Sequence, residues 1–275
     1  MDGPTDAVQD YYASYHEREL ARLLSAEGRL EFALTTRLLA PHLPTAGRVL
    51  DLGGGPGRYS AWLAERGLEV SLADLSPNLL DLAREHLAER GVQVGEVVQA
   101  DARDLTRWSA ASFDAVLALG PFYHLPDPVD RHRALAEVVR VTVPGGLVAT
   151  AWMPRWALLR RTLSIEDERD QLADPSFVDA VLERGAYVNP HRGRFTHAHA
   201  VDPARLPDEL AASGLRTLAL ASTDGFAHGL QDTVDGVRTT DPVRYEQLLD
   251  LLVRTAGDPS LLGTAGHLLH LGRTT

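Results

Sequence analysis

From residue 48 onward, short apolar runs alternate with longer amphipathic segments, a pattern typical of strands separated by helices. The apolar runs predict strands at 48–52, 68–73, 96–99, 113–119, 147–152, 215–222 and 267–272. The amphipathic segments predict helices at 57–66, 77–90, 127–143, 203–213 and 242–256. Because strands joined by helices of this length pair in parallel, the pattern predicts an α/β fold with a doubly wound, mostly parallel sheet.

Two segments do not follow this alternation. Leucines at helical spacing predict a helical segment over residues 7–40, with a break at Gly28. Residues 153–200 contain an acidic run and an Arg/His-rich stretch, and we interpret them as an insertion that forms a lid over the carboxyl end of the sheet. The predicted organisation is therefore an N-terminal helical cap over 1–44 and a domain over 45–275 that carries the insertion.

The composition is that of a globular protein with a substantial core. Hydrophobic residues make up 44% of the 275 residues and charged residues 24%, which excludes a disordered chain. Cysteine is absent, and this excludes disulfides, thiolate metal sites and a cysteine nucleophile. No apolar run is long enough to span a membrane, and the acidic start of the chain is unlike a signal peptide. We therefore expect a soluble cytoplasmic protein with no membrane partner.

The charge distribution favours a small molecule over a nucleic acid as the partner. The formal net charge is −11, and all 27 basic residues are arginines. Without lysine, Schiff-base chemistry and a P-loop lysine are excluded. Because neutralisation of phosphates dominates nucleic-acid affinity, an acidic chain without a basic stripe is not expected to bind DNA or RNA.

The strongest candidate for chemistry is the glycine-rich loop that follows the first predicted strand. It contains Gly53, Gly55 and Gly57 at alternate positions; Asp51 lies two residues before the first of them, and Arg58 follows the last. Glycines at such a strand–helix corner let a ligand approach the backbone closely. A dinucleotide-binding fingerprint would have Gly or Ala in place of the arginine. The acid before the loop suits a ligand ammonium better than a pyrophosphate.

Two further acids follow the second and third predicted strands. Asp74 ends the second strand, where its carboxylate can accept hydrogen bonds from both hydroxyls of a ribose. Asp101 follows the third strand and can accept a hydrogen bond from an adenine amino group. Either residue could instead be a surface acid without a ligand.

These motifs, with Phe-Asp-Ala-Val-Leu in the fourth strand and Pro-Gly-Gly before the fifth, resemble the class I S-adenosylmethionine-dependent methyltransferases. The resemblance is close over residues 45–152 and looser beyond. It implies a Rossmann-like, seven-stranded sheet with an antiparallel last strand and transfer of a methyl group to O, N or C of a small-molecule metabolite, expected to be a natural product. It implies S-adenosylmethionine as the cofactor, held by residues of the loop, of the strand ends and of the N-terminal helix: Asp51, Gly53, Gly55, Gly57, Asp74, Leu75, Asp101, Ala102, Leu119 and Tyr15.

The segment after the fourth strand is the predicted acceptor pocket. His124 is the candidate general base, since the pKa of a free histidine lies near neutrality, and Tyr123 can hydrogen-bond the acceptor. The alternative is that both side chains only pack in this loop. His197 and His199 alternate in the insertion and can point into the pocket, with one as an alternative base. No carboxylate cluster at metal spacing accompanies them, so no metal is expected.

Two other functions remain open from the sequence. An NAD(P)-dependent oxidoreductase would use similar strand–helix corners, although Asp51 and Arg58 argue against it. A protein that binds the cofactor without transferring a methyl group would keep the same loop. The sequence does not determine the oligomeric state.

Overall fold

The computed structural model describes residues 21–188 and 197–275. Its strands are β1 (Arg48–Leu52), β2 (Glu69–Asp74), β3 (Glu96–Gln99), β4 (Phe113–Ala118), β5 (Thr142–Pro154), β6 (Ala186–Tyr187), β7 (Ala198–Val201), β8 (Leu215–Ser222) and β9 (Leu268–Thr274). Its helices are α1 (Ala26–Leu39), α2 (Arg58–Ala64), α3 (Pro77–Glu89), α4 (Pro128–Val141), α5 (Arg155–Ser164), α6 (Pro175–Arg184), α7 (Leu206–Ala212), α8 (Gln231–Thr240), α9 (Pro242–Thr255) and α10 (Pro259–Leu262). Short 3-10 turns lie at Ala40–His42, Pro121–His124, Glu166–Ala173 and Gly225–Ala227.

The central sheet runs in the order β3-β2-β1-β4-β5-β9-β8. Strands β1 to β5 pair in parallel. Strand β9 is antiparallel to both β5 and β8. The predicted fold class, a mostly parallel doubly wound sheet with an antiparallel last strand, is therefore confirmed. Two strands were not predicted: β7 pairs with the far end of β5, and β6 pairs with β7.

Alternation along the strands divides the core between the two faces of the sheet. In β1, Leu50 and Leu52 pack on one face and Val49 on the other. In β4, Val116 packs on the same face as Leu50, and Leu117 packs on the same face as Val49. Because successive side chains of a strand point to opposite faces, a parallel strand covered by helices on both sides must be apolar throughout. The continuous apolar runs in the sequence therefore indicated a sheet buried on both faces.

The N-terminal helical segment is interrupted near the predicted place, but not at Gly28. Helix α1 begins after Ser25, whose hydroxyl accepts a hydrogen bond from the backbone N–H of Gly28 at 3.1 Å. Serine is a favoured N-cap because its oxygen satisfies a free amide of the first turn. Gly28 lies within that turn, where a Cβ atom would collide with the carbonyl oxygen of Arg22. This glycine therefore allows the preceding chain to cross the start of the helix.

Part of the predicted insertion folds as α5, α6, β6 and β7 around a small core of its own. That core includes Leu158, Phe177 and Tyr187. Glu168 is completely buried beneath it and pairs with Arg161 at 2.5 Å. The division of the chain at residue 44 and the action of this segment as a lid stay predictions.

Helix α8 was missed by the sequence analysis. Its central Gly236 and its β-branched residues are poor helix formers. It is held instead by packing of Val234 against α1 and by an ion pair between Asp235 and Arg29 at 2.5 Å. Among the described helices, none has both the length and the apolar character that a bilayer crossing requires.

Candidate functional site

A cavity lies at the carboxyl ends of β1, β2, β3 and β4, and α1 borders it. Most of the residues predicted for the site line it: Asp51, Gly53, Gly55, Asp74, Leu75, Asp101, Ala102, Leu119, Tyr123 and His124. The structure thus brings together residues from the ends of four strands, as expected where a parallel sheet meets its connecting loops.

The loop that joins β1 to α2 is shaped by three glycines in the left-handed region. Their φ angles are +69° at Gly53, +52° at Gly55 and +78° at Gly57. A Cβ atom at Gly55 would meet nothing within 4 Å, so this position faces the open cavity. Gly57 does not line the cavity as predicted. It caps α2, and a Cβ there would come within 3.1 Å of the Leu72 side chain, so its role is close packing of the helix on β2.

Gly54 is a functional glycine that the sequence analysis did not single out. Its φ is not positive, but a Cβ atom would lie 2.8 Å from Oδ2 of Asp51 and 3.1 Å from Cγ of Leu72. The carbonyl oxygen of Ala73 accepts hydrogen bonds from two backbone N–H groups, that of Gly54 at 3.2 Å and that of Gly53 at 2.7 Å. The missing side chain therefore lets the loop lie directly against the buried carboxylate. The run of three consecutive glycines was the available signal.

Asp51 is buried beneath this loop. The hydroxyl of Ser60 donates a hydrogen bond to its Oδ2 at 2.6 Å. Burial, with a smaller contribution from the charge of Asp74, raises the pKa of Asp51 to about 6, and the hydrogen bond from Ser60 opposes this shift. A carboxylate that is costly to ionise gains most from a cationic ligand group placed next to it.

Asp74 fixes the glycine loop to the start of α3. Its Oδ2 accepts a hydrogen bond from the N–H of Gly55 at 2.9 Å, and its Oδ1 accepts one from the N–H of Ser76 at 2.8 Å. Each carboxylate oxygen has more than one lone pair, so these bonds leave the group able to accept from ligand hydroxyls. The carboxylate is thus held in one orientation at the edge of the cavity.

Asp101 also lines the cavity, but it is engaged with a neighbouring arginine. Arg103 donates to both of its carboxylate oxygens, with the shortest contact at 2.6 Å, and also pairs with Asp130 at 2.8 Å. Burial tends to raise the pKa of Asp101, but the hydrogen bonds and charge of Arg103 outweigh it and lower the pKa. A ligand amino group would therefore have to share this carboxylate with the guanidinium.

The predicted acceptor segment forms the 3-10 turn Pro121–His124. Phe122 stacks on Trp152 with ring centroids 5.0 Å apart, and both are buried in the core. Tyr123 and His124 face the cavity, with their rings 4.7 Å apart. Burial, together with electrostatic repulsion from Arg22 and His267, lowers the pKa of His124 to about 3. His124 is therefore neutral at physiological pH and is a weak base.

The prediction that His199 points into the same pocket is wrong. In β7, Ala198 and Ala200 are buried, while His199 faces the opposite way and lines a second cavity with Arg131. Burial, with the charge of Arg131, lowers its pKa to about 3. The alternation of side chains along β7 was predicted correctly. The pairing of β7 with β5 was not predicted, and this pairing determines which face of β7 is the outer one. Tyr15 lies outside the described residues.

Several cavity residues were missed because they come from distant parts of the chain. Glu31 of α1 and His267, which precedes β9, both line the cavity, and Nδ1 of His267 lies 3.3 Å from Oε1 of Glu31. Arg58 donates to the carbonyl oxygens of Leu23 and Gly28, each at 2.9 Å, and so fastens the start of α1 over the glycine loop. No short motif marks Glu31 or His267. The arginine after the glycine loop was visible in the sequence, but its partners were not.

Two observations bear on what this site could hold. Within the described ranges, no three His, Cys, Asp or Glu side chains are grouped as a metal site requires. The cavity does have a backbone position open to a ligand at Gly55, a buried carboxylate at Asp51 and an oriented carboxylate at Asp74. These groups fit the amino-acid end and the ribose of S-adenosylmethionine.

Comparison with known proteins identifies the central part of the chain. Residues 49–146 match the family model described as a methyltransferase domain. This part of the chain is similar to a methyltransferase domain. The resemblance to class I S-adenosylmethionine-dependent methyltransferases that the motifs indicated is confirmed for this part of the chain.

Relatives of this methyltransferase domain include enzymes named for quinone biosynthesis. The chain is 43% identical over 103 residues to a ubiquinone biosynthesis O-methyltransferase of Xanthomonas axonopodis, covering 38% of this chain and 41% of the relative. It is 37% identical over 147 residues to a demethylmenaquinone methyltransferase of Clavibacter sepedonicus, covering 53% of this chain and 56% of the relative. The chain thus spans only about half the length of these relatives.

Solved structures extend the likeness of the fold beyond the methyltransferase domain. A methyltransferase from Methanosarcina mazei aligns with a TM-score of 0.57 at 18% identity, covering 86% of this chain and 96% of that one. A 1,6-didemethyltoxoflavin-N1-methyltransferase from Burkholderia thailandensis aligns with a TM-score of 0.59 at 17% identity, covering 100% and 92%. At these identities the comparison establishes the shared fold.

Proposed function

We propose that this protein is an S-adenosylmethionine-dependent methyltransferase that acts on a small molecule. The observation that carries the proposal is the cavity in which an open backbone position at Gly55 lies between two held carboxylates, Asp51 and Asp74. The match of residues 49–146 to a methyltransferase domain supports it independently.

The roles of the cofactor-binding residues follow from their positions. Asp51 would hold the ammonium of the methionine end, because a buried carboxylate is stabilised by a cation beside it. Asp74 would accept from the ribose hydroxyls while its own orientation is kept by Gly55 and Ser76. Leu75 and Ala102 would pack against the adenine. Gly53 lets the loop lie close to the turn Pro121–His124, since a Cβ there would lie 2.8 Å from Pro121.

The cofactor, when bound, supplies an electrophilic methyl group. The residues of the chain must then align the acceptor, exclude water and accept a proton where the acceptor carries one. Tyr123 and His124 form part of the cavity wall. The acidic net charge of −11 and the names of the relatives favour a small organic acceptor, and we propose a natural product with an aromatic portion.

Calorimetric titration with S-adenosylhomocysteine, followed by an assay of labelled methyl transfer to candidate metabolites, tests the proposal. We expect saturable binding of the nucleoside and transfer to at least one acceptor. Failure to bind the nucleoside would overturn the proposal. Binding with no transfer to any acceptor would instead favour a protein that uses the cofactor without methylation.

A further inference from the structure

A histidine–carboxylate pair, His267 and Glu31, lies in the wall of the cavity. Nδ1 of His267 is 3.3 Å from Oε1 of Glu31, and both side chains line the cavity. We propose that His267, oriented by Glu31, is the general base that takes the proton from a phenolic or catecholic hydroxyl of the methyl acceptor. This inference rests on the proposed function, and it assigns the role that the sequence analysis gave to His124.

Both members of the pair are held by the surrounding fold. The carbonyl oxygen of His267 accepts hydrogen bonds from the N–H and the hydroxyl of Thr223, at 3.1 and 3.2 Å. Glu31 lies in α1, whose start is fastened to the glycine loop by Arg58. The pair therefore keeps its place relative to the cofactor side of the cavity, which is the requirement for a positioned base.

The arrangement determines which nitrogen of the imidazole is the base. A carboxylate beside Nδ1 favours the tautomer with the proton on Nδ1, and this leaves the lone pair on Nε2. In the proposed step the O–H bond of the acceptor breaks, its proton goes to Nε2, and the electron pair stays on the oxygen. The resulting imidazolium is compensated by the carboxylate of Glu31.

His124 is less suited to this task. It is only 8% exposed, whereas the side chain of His267 is 22% exposed. Burial lowers the pKa of His124 to about 3, so it holds a proton too weakly at neutral pH to act as an efficient base. His124 instead packs against Tyr123, with ring centroids 4.7 Å apart, and serves as a wall.

The environment of His267 favours an aromatic hydroxyl as the acceptor. The ring of Tyr123 lies 5.7 Å from that of His267 and gives the base an aromatic neighbour in the cavity wall. A phenol is a much stronger acid than an aliphatic alcohol, so a neutral imidazole removes its proton more readily. The neighbouring elements place several ionisable groups around His267. In the cavity these are Glu31, Arg22, Tyr123 and His124. Beside Gly266 they are Asp224 and His228.

The chain contains a matched control for this pair. His228 also has its Nδ1 against a carboxylate, that of Asp224, but His228 does not line the cavity. The variants H267Q and E31Q remove the base and the charge of its partner, and H228Q removes the other histidine. Calorimetric titration with S-adenosylhomocysteine reports whether each variant keeps the cofactor site.

The decisive assay measures transfer of labelled methyl to phenol, catechol and hydroquinone across a range of pH. We expect transfer to at least one of them, with kcat lowered about 100-fold in H267Q, less in E31Q and not in H228Q. The acidic limb of the kcat/KM profile should disappear in H267Q, which a merely structural role would not cause. If H267Q keeps full activity and this limb, or if no hydroxylated aromatic is methylated while the nucleoside binds, the inference is wrong.

A second measurement does not depend on turnover. The imidazole nitrogen resonances of His267, assigned by their absence in H267Q, should show the proton on Nδ1, and E31Q should reduce this preference. A proton on Nε2, or a tautomer that is unchanged in E31Q, would show that Glu31 does not orient His267. If the nucleoside fails to bind to the wild-type protein, the proposed function falls, and the resonances still decide whether Glu31 orients His267.

Discussion

The two sides of the cavity are built in different ways. The proposed cofactor side comes from one stretch of the chain, Asp51 to Ala102, and its lining residues lie at or just after the ends of β1, β2 and β3. The proposed acceptor side is assembled from three separated places: Glu31 in α1, the turn Pro121–His124, and His267 before β9. The first is fixed by local backbone geometry, and the second by long-range packing.

The comparison with relatives follows the same division. The match to the methyltransferase domain covers residues 49–146, which include the whole cofactor side. Glu31 and His267 both fall outside it. One fold can serve many substrates when the loop that binds the cofactor is shared and the rest of the cavity wall differs. The acceptor therefore depends on this chain's own residues in that wall.

Replacement of Asp74 by alanine should cause the largest effect, confined to the cofactor side. The carboxylate accepts from Gly55 and Ser76, and it is proposed to accept from the ribose. Because hydrogen bonds to charged groups contribute about 1.5–3 kcal/mol each, the affinity for S-adenosylhomocysteine should fall roughly 100-fold by calorimetry. The variant E31Q is the control and should bind the nucleoside as the wild type does. Equal losses in both variants would mean that the two sides are not separable.

The variant Gly54→Ala tests whether the loop depends on its contact with the buried acid. The new Cβ would lie 2.8 Å from Oδ2 of Asp51, so the loop or the carboxylate must shift. We expect a loss of about 1–3 kcal/mol in the free energy of unfolding, measured in urea, and weaker binding of the nucleoside. An unchanged stability together with unchanged affinity would show that the loop is not packed as described.

The pH dependence of nucleoside binding tests the charge of Asp51. Its raised pKa of about 6 means that the free protein gains a proton there as the pH falls below about 6. Since the proposed ligand group is an ammonium, the affinity should fall by up to about tenfold for each pH unit below this value. In the Asp51→Asn variant, binding should be weaker and should vary little over the same range. The same slope in both would assign the titration to another group.

The difference between the two sides also explains how far the sequence could predict the structure. The ends of β3 and β8 were placed correctly, and the acids at the ends of β1 and β2 were found, because a strand end and its loop are encoded by neighbouring residues. His199 was assigned to the wrong cavity because the partner of β7 depends on how a remote segment packs. Glu31 and His267 carried no local sequence signal, because they are recognised as a pair only through a contact between residues far apart in the chain.

The smallest expected effect comes from a glycine far from the site. Gly236 is exposed within α8, where a Cβ would meet nothing within 4 Å and its φ is not positive. The variant Gly236→Ala should raise the free energy of unfolding by about 0.5–1 kcal/mol, because alanine loses less backbone entropy in a helix. Nucleoside affinity should not change. A change in nucleoside affinity would show that α8 is coupled to the cavity. Gly236→Ala would then no longer serve as a contrast to Gly54→Ala.

Binding of S-adenosylhomocysteine by the wild-type protein, measured by calorimetry beside Asp74→Ala and H267Q, tests the central claim most directly. Saturable binding that Asp74→Ala weakens strongly and H267Q preserves is the predicted result, because the glycine loop and its carboxylates form the cofactor side by themselves. No binding by the wild type, or binding that Asp74→Ala leaves intact, would contradict it.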